Sequence, residues 1–475
     1  MEFRDSNYLP AALLQSLEGL PGYHAAAFLA THLAGAAPTS IRLNPNKLPA
    51  TAATAAVLEA LSGADVLPVP WSRYGYYLPQ RPSFTMDPFF HAGTYYVQEA
   101  SSMFLEHAVR SLVPVDVPLR ALDLCAAPGG KSTLLQATLS PGSLLVTNEI
   151  IKPRAALLAD NMTKWGAANV VVTNNDPKDF AKLEGFFDLI VTDAPCSGSG
   201  LFRRDPEAVE EWSPGNVVLC SQRQQRILAD VLPALKAGGT LIYSTCSYSR
   251  EEDEDIMDWL LENFPLESVP LEVPAQWQVV TTESRVRKAV GYRFYPDQVQ
   301  GEGLFLACFR KTDGATFQPK KQKQKEVSLS PAQRQVIMPY LQEGADLFLL
   351  PFQQEVLAVP SALAGDVALL QQQLYLRKAG VKIGQPTPKE LIPDHELALS
   401  TIASKALPAV SLSKLEALQY LRKEDFRPGT DLKGWALMQY EGHALGWAKL
   451  LPNRMNNYYP KGLRILKEIS PRDLE

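Results

Sequence analysis

Two cysteines follow predicted strands at the point where each apolar run ends. Cys196 lies in TDAPCSGSG and Cys246 lies in STCSYS, whereas Cys220 and Cys308 lie inside apolar runs, as structural cysteines usually do. A cysteine among Ser, Pro and Gly at a strand end is typical of a reactive thiol, although a packing cysteine is the alternative. With Asp193 beside them, the two thiols would form a reactive group around a nucleoside-sized ligand.

A glycine-containing turn is predicted upstream, in residues 119–133 (LRALDLCAAPGGKST). A short apolar run there is followed by Pro128, Gly129 and Gly130 and then by a helix-forming segment. A turn of this kind lets backbone N–H groups at a helix N-terminus approach a ligand closely. Asp123 at the strand end can take a polar partner. An ordinary α/β crossover loop has the same pattern, so the turn alone does not identify a site.

The following predicted strands also end in polar residues. Glu149 comes after the second strand and suits the hydroxyl groups of a ribose. Asp176 comes after the third strand and is placed to accept from an adenine amino group. Ligands bind outside the carboxyl ends of the strands in a doubly wound sheet, so these side chains should converge on one crevice.

A phosphate-binding loop is the competing interpretation, because GGKST preceded by AAP resembles the end of one and LIVTD resembles a strand with a magnesium-binding Asp. The phosphate-loop template requires glycine where Cys125 stands. A nucleotide hydrolase would also leave Glu149 and both thiols without a role. We therefore reject this alternative.

Alternating strands and helices position these residues. The predicted strands are 119–124, 144–149, 169–174, 187–193 and 240–245. The predicted helices are 131–139, 152–165, 216–236 and 251–263. This alternation predicts an α/β fold with a doubly wound, mostly parallel sheet, closed by a hairpin over 292–311.

Four segments are expected along the chain. We expect residues 1–114 to form a small N-terminal α/β subdomain and residues 115–313 to form the catalytic domain. Residues 314–330 are polar and rich in Lys and Gln, which is typical of a linker. Residues 331–475 predict a C-terminal α+β module.

The numbers and positions of cysteine, histidine and charged residues exclude several classes of protein. Five cysteines without CxxC spacing indicate reduced thiols in the cytoplasm and argue against a zinc or other metal site. No histidine lies between residues 108 and 394, so chemistry there must use carboxylates and thiols. No run is long enough for a membrane helix, and the first residues lack a signal-peptide pattern. The net charge is −5, but the part from residue 315 onward has 21 basic against 16 acidic residues, which weakly favours a polyanionic partner there.

Several segments occur in an order that is typical of a known family. They are DLCAAPGGKS, Asn148 with Glu149, Asp176, TDAPCSGSG, STCSY and RFYP at 293–296. In these motifs the chain resembles the S-adenosylmethionine-dependent RNA cytosine-5 methyltransferases, particularly the bacterial 16S ribosomal RNA type with an extra C-terminal RNA-binding module. The resemblance is strong over residues 90–311, and the C-terminal part is similar to the pseudouridine-synthase-and-archaeosine-transglycosylase (PUA) type of module. The resemblance implies a Rossmann-like methyltransferase fold.

The resemblance also implies roles for three side chains. Cys246 would be the nucleophile that adds to carbon 6 of cytosine, which activates carbon 5. Asp193 would hydrogen-bond the amino and ring-nitrogen edge of the base. Cys196 would assist loss of the carbon 5 proton and release of the adduct.

S-adenosylmethionine is the cofactor that the resemblance implies. Its predicted contacts are Cys125, Ala126, Ala127, Pro128, Gly129, Gly130, Lys131, Glu149, Arg154, Asp176 and Asp193. Glu149 would bind the ribose and Asp176 the adenine, whereas Arg154 could equally be a surface arginine and Lys131 a solvated residue at a helix start. Many family members have histidine where this chain has Asp297, to which we assign no role.

RNA is the expected substrate, with the target base flipped out of its stack. Residues predicted to contact phosphates or to add affinity are Arg203, Arg204, Arg377, Lys378, Lys382, Arg454 and Lys461. We expect 16S ribosomal RNA or a 30S subunit as the partner of a monomeric enzyme, without a membrane or a metal. A transfer RNA methyltransferase and a catalytically silent RNA-binding assembly factor are the alternatives.

Overall fold

The computed structural model describes residues 8–35, 37–48, 51–62, 66–318 and 329–474, without the side chains of 51–53 and 62. Most of the predicted linker, residues 319–328, lies outside the described residues. No helix in the described ranges is long and apolar enough to cross a membrane.

The N-terminal elements form a small antiparallel sheet with flanking helices. They are α1 (Ala11–Leu17), α2 (Ala25–Ala34), β1 (Thr39–Leu43), α3 (Thr51–Ser62), β2 (Leu67–Pro68), β3 (Gly75–Leu78), α4 (Pro88–Ala92) and β4 (Tyr95–Val97). The strand order is β2-β3-β1-β4. Arg42 of β1 is buried, and its guanidinium donates to Gln98 and to Thr133 of the next domain. The N-terminal sheet therefore packs directly against the predicted cofactor turn.

The central elements form the large sheet and its two helical layers. They are α5 (Phe104–Leu112), β5 (Arg120–Asp123), α6 (Gly130–Thr138), β6 (Leu144–Asn148), α7 (Lys152–Trp165), β7 (Val170–Thr173), β8 (Phe187–Asp193), α8 (Pro206–Glu211), α9 (Pro214–Val231), β9 (Leu235–Thr245), α10 (Glu254–Asn263), β10 (Leu266–Ser268), β11 (Val280–Glu283), β12 (Val290–Phe294) and β13 (Leu304–Lys311). The five predicted strands and four predicted helices are present with shifted ends, and the predicted hairpin is the antiparallel pair β12–β13.

The sheet topology creates a crevice between β5 and β8. Strands β5 to β9 are parallel in the order β7-β6-β5-β8-β9, so the chain moves outward through β6 and β7 and then returns to the other side of β5. Such a reversal is where α/β sheets bind ligands. The predicted α/β class with a doubly wound, mostly parallel sheet is confirmed.

Alternating side chains of the parallel strands fill two cores. In β8, Leu189 and Val191 face one core, which α5, α6 and α7 cover, while Ile190 faces the other, under α9 and α10. Both faces of these strands are buried, which explains why they are nearly continuous apolar runs in the sequence.

The C-terminal elements form two further four-stranded sheets. They are α11 (Pro331–Ile337), β14 (Leu347–Phe352), β15 (Glu355–Pro360), α12 (Ala364–Gln373), β16 (Leu376–Ala379), β17 (Val381–Pro386), β18 (Leu391–Pro393), α13 (His395–Leu399), β19 (Ala409–Ser411), α14 (Lys414–Arg422), β20 (Gly434–Tyr440), β21 (His443–Leu451) and β22 (Arg454–Asn457). The sheet orders are β14-β15-β17-β18 and β19-β20-β21-β22.

One C-terminal strand belongs to the catalytic sheet. Strand β16 pairs antiparallel with β7, with Leu376 opposite Thr173, and Leu370 of α12 is fully buried in the same core as Ile190. An edge strand leaves unpaired N–H and C=O groups, and β16 satisfies those of β7. The predicted C-terminal module therefore shares a sheet and a core with the predicted catalytic domain.

Candidate active site

A cavity of about 600 Å³ opens at the carboxyl ends of the parallel strands. Among the predicted site residues, it is lined by Cys125, Ala127, Lys131, Glu149, Arg154, Asp193, Cys196 and Cys246. The remaining predicted cofactor residues, which do not border it, are Ala126, Pro128, Gly129, Gly130 and Asp176. Within the described ranges, no group of three or more His, Cys, Asp or Glu side chains could hold a metal ion.

The two thiols meet because β8 and β9 are parallel neighbours. Asp193 at the end of β8 is paired with Ser244 of β9, and the loops that follow bring Sγ of Cys196 to 3.0 Å from Sγ of Cys246. Neither cysteine is in a disulfide. The hydrogen bond to Cys246, together with burial, raises the pKa of Cys196 well above its ordinary value. Cys196 is therefore the thiol that keeps its proton.

Asp193 is held from two sides. Lys131 Nζ lies 2.8 Å from its Oδ2, and the Ser244 hydroxyl donates to its Oδ1 at 2.8 Å. Lys131 is only 12% exposed, so it is not a solvated residue at a helix start. Burial acts to lower the pKa of Lys131, but the Asp193 carboxylate raises it and the net shift is upward. The lysine thus stays charged and fixes Asp193. About a third of the Asp193 side chain remains exposed, and this residue lines the cavity.

The glycine turn forms the start of α6, and a buried carboxyl lies behind it. Gly129 has φ +115°, and an added Cβ would lie 3.2 Å from Leu158, so glycine suits this position. Asp123 is fully buried; Ser132 donates to its Oδ2 at 2.7 Å, while its Oδ1 has no hydrogen-bond partner in the described chain. Burial raises the pKa of Asp123 to about 7.

Glu149 and Arg154 are tied to the turn and to each other. The Ile151 N–H donates to Glu149 Oε1 at 2.9 Å, and Arg154 Nη1 lies 3.4 Å from Glu149 Oε2. A second Arg154 nitrogen donates to the Ala127 carbonyl at 2.9 Å. Arg154 therefore connects two predicted cofactor contacts, although half of its side chain is exposed.

Asp176 lies at the rim of this arrangement. Its carboxylate accepts from the Lys178 N–H at 3.2 Å, at the start of a short 3-10 helix. Its other oxygen is 3.8 Å from Arg226 Nη1. The neighbouring Pro177, rather than Asp176, borders the cavity.

The donor set fits S-adenosylmethionine, which carries a sulfonium and an ammonium group. Asp123, Glu149 and Asp193 place three carboxyl groups in or directly behind the cavity wall, and Asp123 has an oxygen without a partner among the described residues. A cationic ligand would stabilise the ionised form of that carboxyl group. Glu149 would remain available to the ribose.

Several cavity residues were missed by the sequence reasoning, namely Glu99, Ser102, Arg223, Arg226 and Glu302. Glu99 accepts from the backbone N–H groups of Ser101, Ser102 and Glu302 at 2.7 to 2.8 Å, so it fastens the N-terminal region to the loop before β13. These residues come from three distant segments, and none follows a predicted strand of the parallel sheet.

Three residues that were predicted to contact phosphates or to add RNA affinity form ion pairs within the chain. Arg203 is buried and its Nε donates to Glu302 Oε2 at 2.9 Å, so it is a structural ion pair, whereas its neighbour Arg204 is exposed and lines the cavity. Lys378 is buried against Glu396, and Lys382 lies 3.3 Å from a Glu355 oxygen and 3.7 Å from an Asp394 oxygen. The exposed residues of the predicted set are Arg204, Arg377, Arg454 and Lys461.

Family models match three parts of the chain. "16S rRNA methyltransferase RsmB/F" matches residues 111–310, "N-terminal domain of 16S rRNA methyltransferase RsmF" matches 9–100, and "Methyltransferase RsmF PUA domain" matches 407–465. The PUA match covers only the last sheet of the C-terminal region, so residues 331–406 lie outside it.

Curated relatives match most of the chain. Ribosomal RNA small subunit methyltransferase F of Aliivibrio fischeri is 31% identical over 84% of this chain and 86% of its own length. The protein of the same name from Escherichia coli O157:H7 is 30% identical over 89% of this chain and 90% of its own length.

Solved structures share the fold of about two thirds of the chain. A methyltransferase homologue from Pyrococcus horikoshii is 29% identical with a TM-score of 0.51, over 64% of this chain and 100% of that one. NSun6 from the same organism, at 19% identity and a TM-score of 0.53, covers 64% of this chain and 98% of its own, and shows the fold alone.

These matches confirm the predicted family, the predicted enzyme class and S-adenosylmethionine as the methyl donor. The Aliivibrio fischeri relative is more than 30% identical and spans most of both chains. The chain belongs to the 16S rRNA methyltransferase RsmB/F family.

Proposed function

We propose that the chain methylates carbon 5 of a cytosine in 16S ribosomal RNA through a covalent bond between Cys246 and carbon 6 of the base. The observation that carries this proposal is the pair of thiols, 3.0 Å apart in one cavity with Asp193 and the cofactor turn. Carbon 5 of cytosine is a poor nucleophile until a thiolate adds to carbon 6. A site with two thiols and no histidine suits that chemistry.

In the first step, the Cys246 thiolate forms a bond to carbon 6 and the ring double bond becomes an enamine whose nucleophilic atom is carbon 5. Bound S-adenosylmethionine supplies the electrophilic methyl group. Asp193 accepts from the amino group of the base and keeps it in plane with the thiol. Lys131 and Ser244 hold that carboxylate, so little reorganisation accompanies the reaction.

In the second step, Cys196 gives up its own proton to solvent, and its thiolate takes the proton from carbon 5. The electrons of that C–H bond restore the double bond between carbons 5 and 6 as Cys246 leaves as a thiolate. The hydrogen bond to Cys246 and its charge both raise the pKa of Cys196 in the free enzyme. Once Cys246 is bonded to carbon, that charge is gone and Cys196 loses its proton more easily.

Three exposed arginines favour RNA as the substrate. Arg223 and Arg226 are three positions apart on one face of α9, and Arg204 lies in the loop after Cys196; all three line the cavity. Guanidinium groups bind phosphate oxygens well. We propose that they contact the nucleotides that flank the flipped cytosine.

The relatives named for the small ribosomal subunit favour 16S ribosomal RNA, free or in the 30S subunit, over transfer RNA. We propose a monomer that acts in the cytoplasm, with the exposed Arg377, Arg454 and Lys461 of the C-terminal region adding RNA affinity.

Bisulfite sequencing of total RNA from cells lacking the protein tests this function. We expect a cytosine of 16S ribosomal RNA to lose its methyl group, and the purified protein to restore it on 30S subunits or naked transcript. Loss of methylation only in a transfer RNA would support the alternative substrate. Unchanged methylation of all RNA would favour the silent assembly factor.

A further inference from the structure

A buried carboxylate joins the loops that carry the two thiols. Glu252 is fully buried, and its Oε2 accepts from the hydroxyl groups of Ser197 at 2.5 Å and Ser247 at 2.6 Å. Its Oε1 accepts from the Ser197 N–H at 2.8 Å. Ser197 directly follows Cys196, and Ser247 directly follows Cys246. One side chain therefore fixes both loops next to their reactive residues.

Helix α9 and strand β9 hold this carboxylate in place. Gln224 of α9 donates to Glu252 Oε1 at 3.2 Å and to the Pro195 carbonyl at 3.1 Å. The Tyr243 hydroxyl of β9 donates to the Glu252 carbonyl at 2.6 Å. Both carboxylate oxygens thus have partners, and the network is anchored on two rigid elements.

Stability alone does not account for an acidic residue here. A buried carboxylate is expensive to remove from water, so its burial is weak evidence for a stabilising role. Four donors to one carboxylate instead give a stiff junction, because hydrogen bonds to charged groups are short and strong. The sulfur atoms are 3.0 Å apart only if the two loops keep their relative position.

We propose that Glu252 is a positioning residue that holds the Cys196 and Cys246 loops together so that both thiols act on the same base. This inference rests on the proposed function. It predicts that loss of Glu252 separates the thiols and leaves the cofactor site, on the other side of β5, unchanged.

The experiment compares Glu252→Ala with Glu252→Gln. Glutamine keeps one acceptor oxygen for the Ser197 N–H, and its amide can donate to the two serine hydroxyls, so it should retain most of the activity. Alanine removes the junction. We expect methyl transfer by Glu252→Ala to be about 100-fold slower, with an unchanged KM for S-adenosylmethionine, because small displacements of reacting groups have effects of this size.

The rate at which the two thiols are oxidised to a disulfide reports their proximity and does not depend on methyl transfer. Diamide takes up two electrons and two protons as the thiols of Cys196 and Cys246 become a disulfide, which peptide mass spectrometry detects. We expect fast disulfide formation in the wild type and in Glu252→Gln, and about 100-fold slower formation in Glu252→Ala. Equal rates in the wild type and Glu252→Ala would overturn the inference, as would equal damage by both substitutions.

Single serine variants cover the case in which Glu252→Ala does not fold. Ser247→Ala and Ser197→Ala each remove one link and should each slow disulfide formation. Ser249→Ala is the matched control, because Ser249 is equally buried and its hydroxyl has no hydrogen-bond partner among the described residues. Slowing by Ser249→Ala to the same degree would contradict the inference.

The two proposals can fail separately. A wild type that forms the disulfide rapidly but methylates no RNA would contradict the proposed function and leave the positioning by Glu252 supported. Weaker binding of S-adenosylhomocysteine to Glu252→Ala would show that the substitution disturbs the whole cavity, and it would overturn the inference.

Discussion

Lys131 Nζ lies 2.8 Å from Asp193 Oδ2, and this contact joins the predicted cofactor turn to the strand end that we propose binds the base. Lys131 follows the glycines of the turn, and Asp193 ends β8. In the proposed mechanism, the pair would fix the methyl donor and the acceptor relative to each other.

The ion pair predicts a loss of activity in Lys131→Met. Asp193 would keep its Ser244 contact but lose its cation, and its orientation would relax. We expect kcat to fall about 100-fold, by analogy with the removal of one preorganised electrostatic partner. Steady-state kinetics with 16S ribosomal RNA and a melting curve would check this. A Lys131→Arg variant with the same loss as Lys131→Met would argue against a role for the charge.

The division of labour between the thiols predicts two different phenotypes. Cys246→Ala should form no covalent complex with RNA, because the nucleophile is gone. Cys196→Ala should accumulate a protein–RNA complex that survives denaturation, because carbon 5 keeps its proton. Denaturing gels with labelled RNA distinguish the two outcomes. The absence of a complex from a folded Cys196→Ala protein that still binds RNA would contradict the scheme.

The cavity arginines predict a change in salt dependence. The double variant Arg223→Gln/Arg226→Gln should reduce the slope of log Kd against log salt by about 1.4, since each phosphate contact on single-stranded RNA contributes about 0.7. Filter binding of 16S ribosomal RNA at several salt concentrations measures this slope. The matched control is Arg285→Gln/Arg287→Gln, two exposed arginines outside the cavity. An equal change in both double variants would indicate a general effect of charge.

The buried carboxyl of Asp123 predicts pH-dependent binding of the cofactor. Burial raises its pKa to about 7, so the group is neutral below that pH and ionised above it. A cationic ligand stabilises the ionised form, and its affinity should therefore increase as pH rises through about 7. Calorimetric titration with S-adenosylmethionine between about pH 6 and 8 covers this range. Asp123→Asn should remove the dependence, and an unchanged pH profile in that variant would contradict this role.

The shared core predicts that a C-terminal residue stabilises the catalytic domain. Leu370→Ala removes a buried side chain from the core that α12 shares with the catalytic sheet and should lower the free energy of unfolding by about 2–5 kcal/mol. Thermal or denaturant unfolding measures the change, with the exposed neighbour Gln371→Ala as the control. Equal stability of the two variants would show that the C-terminal region packs loosely.

Local sequence patterns predict the fold of the catalytic part and the candidate residues of its site. Apolar runs separated by amphipathic segments predict the strands and helices, because each periodicity reflects which faces are buried. Polar residues just beyond those runs marked Cys196, Cys246, Asp193 and Glu149, since the ends of parallel strands meet at one edge.

The tertiary structure decided what those patterns could not. Strand β16 pairs with β7 across some 200 positions of sequence, and the register depends on the whole fold. From the sequence, Arg203 and Lys378 are expected to be solvated cations. In the structure they are buried beside the carboxylates of Glu302 and Glu396. Glu252 carries no motif signal of its own, because its role comes from two loops that are adjacent only after β8 and β9 pair. The sequence by itself determined which residues can react, whereas the folded chain decided which of them touch, because distances between remote segments follow from packing and not from local periodicity.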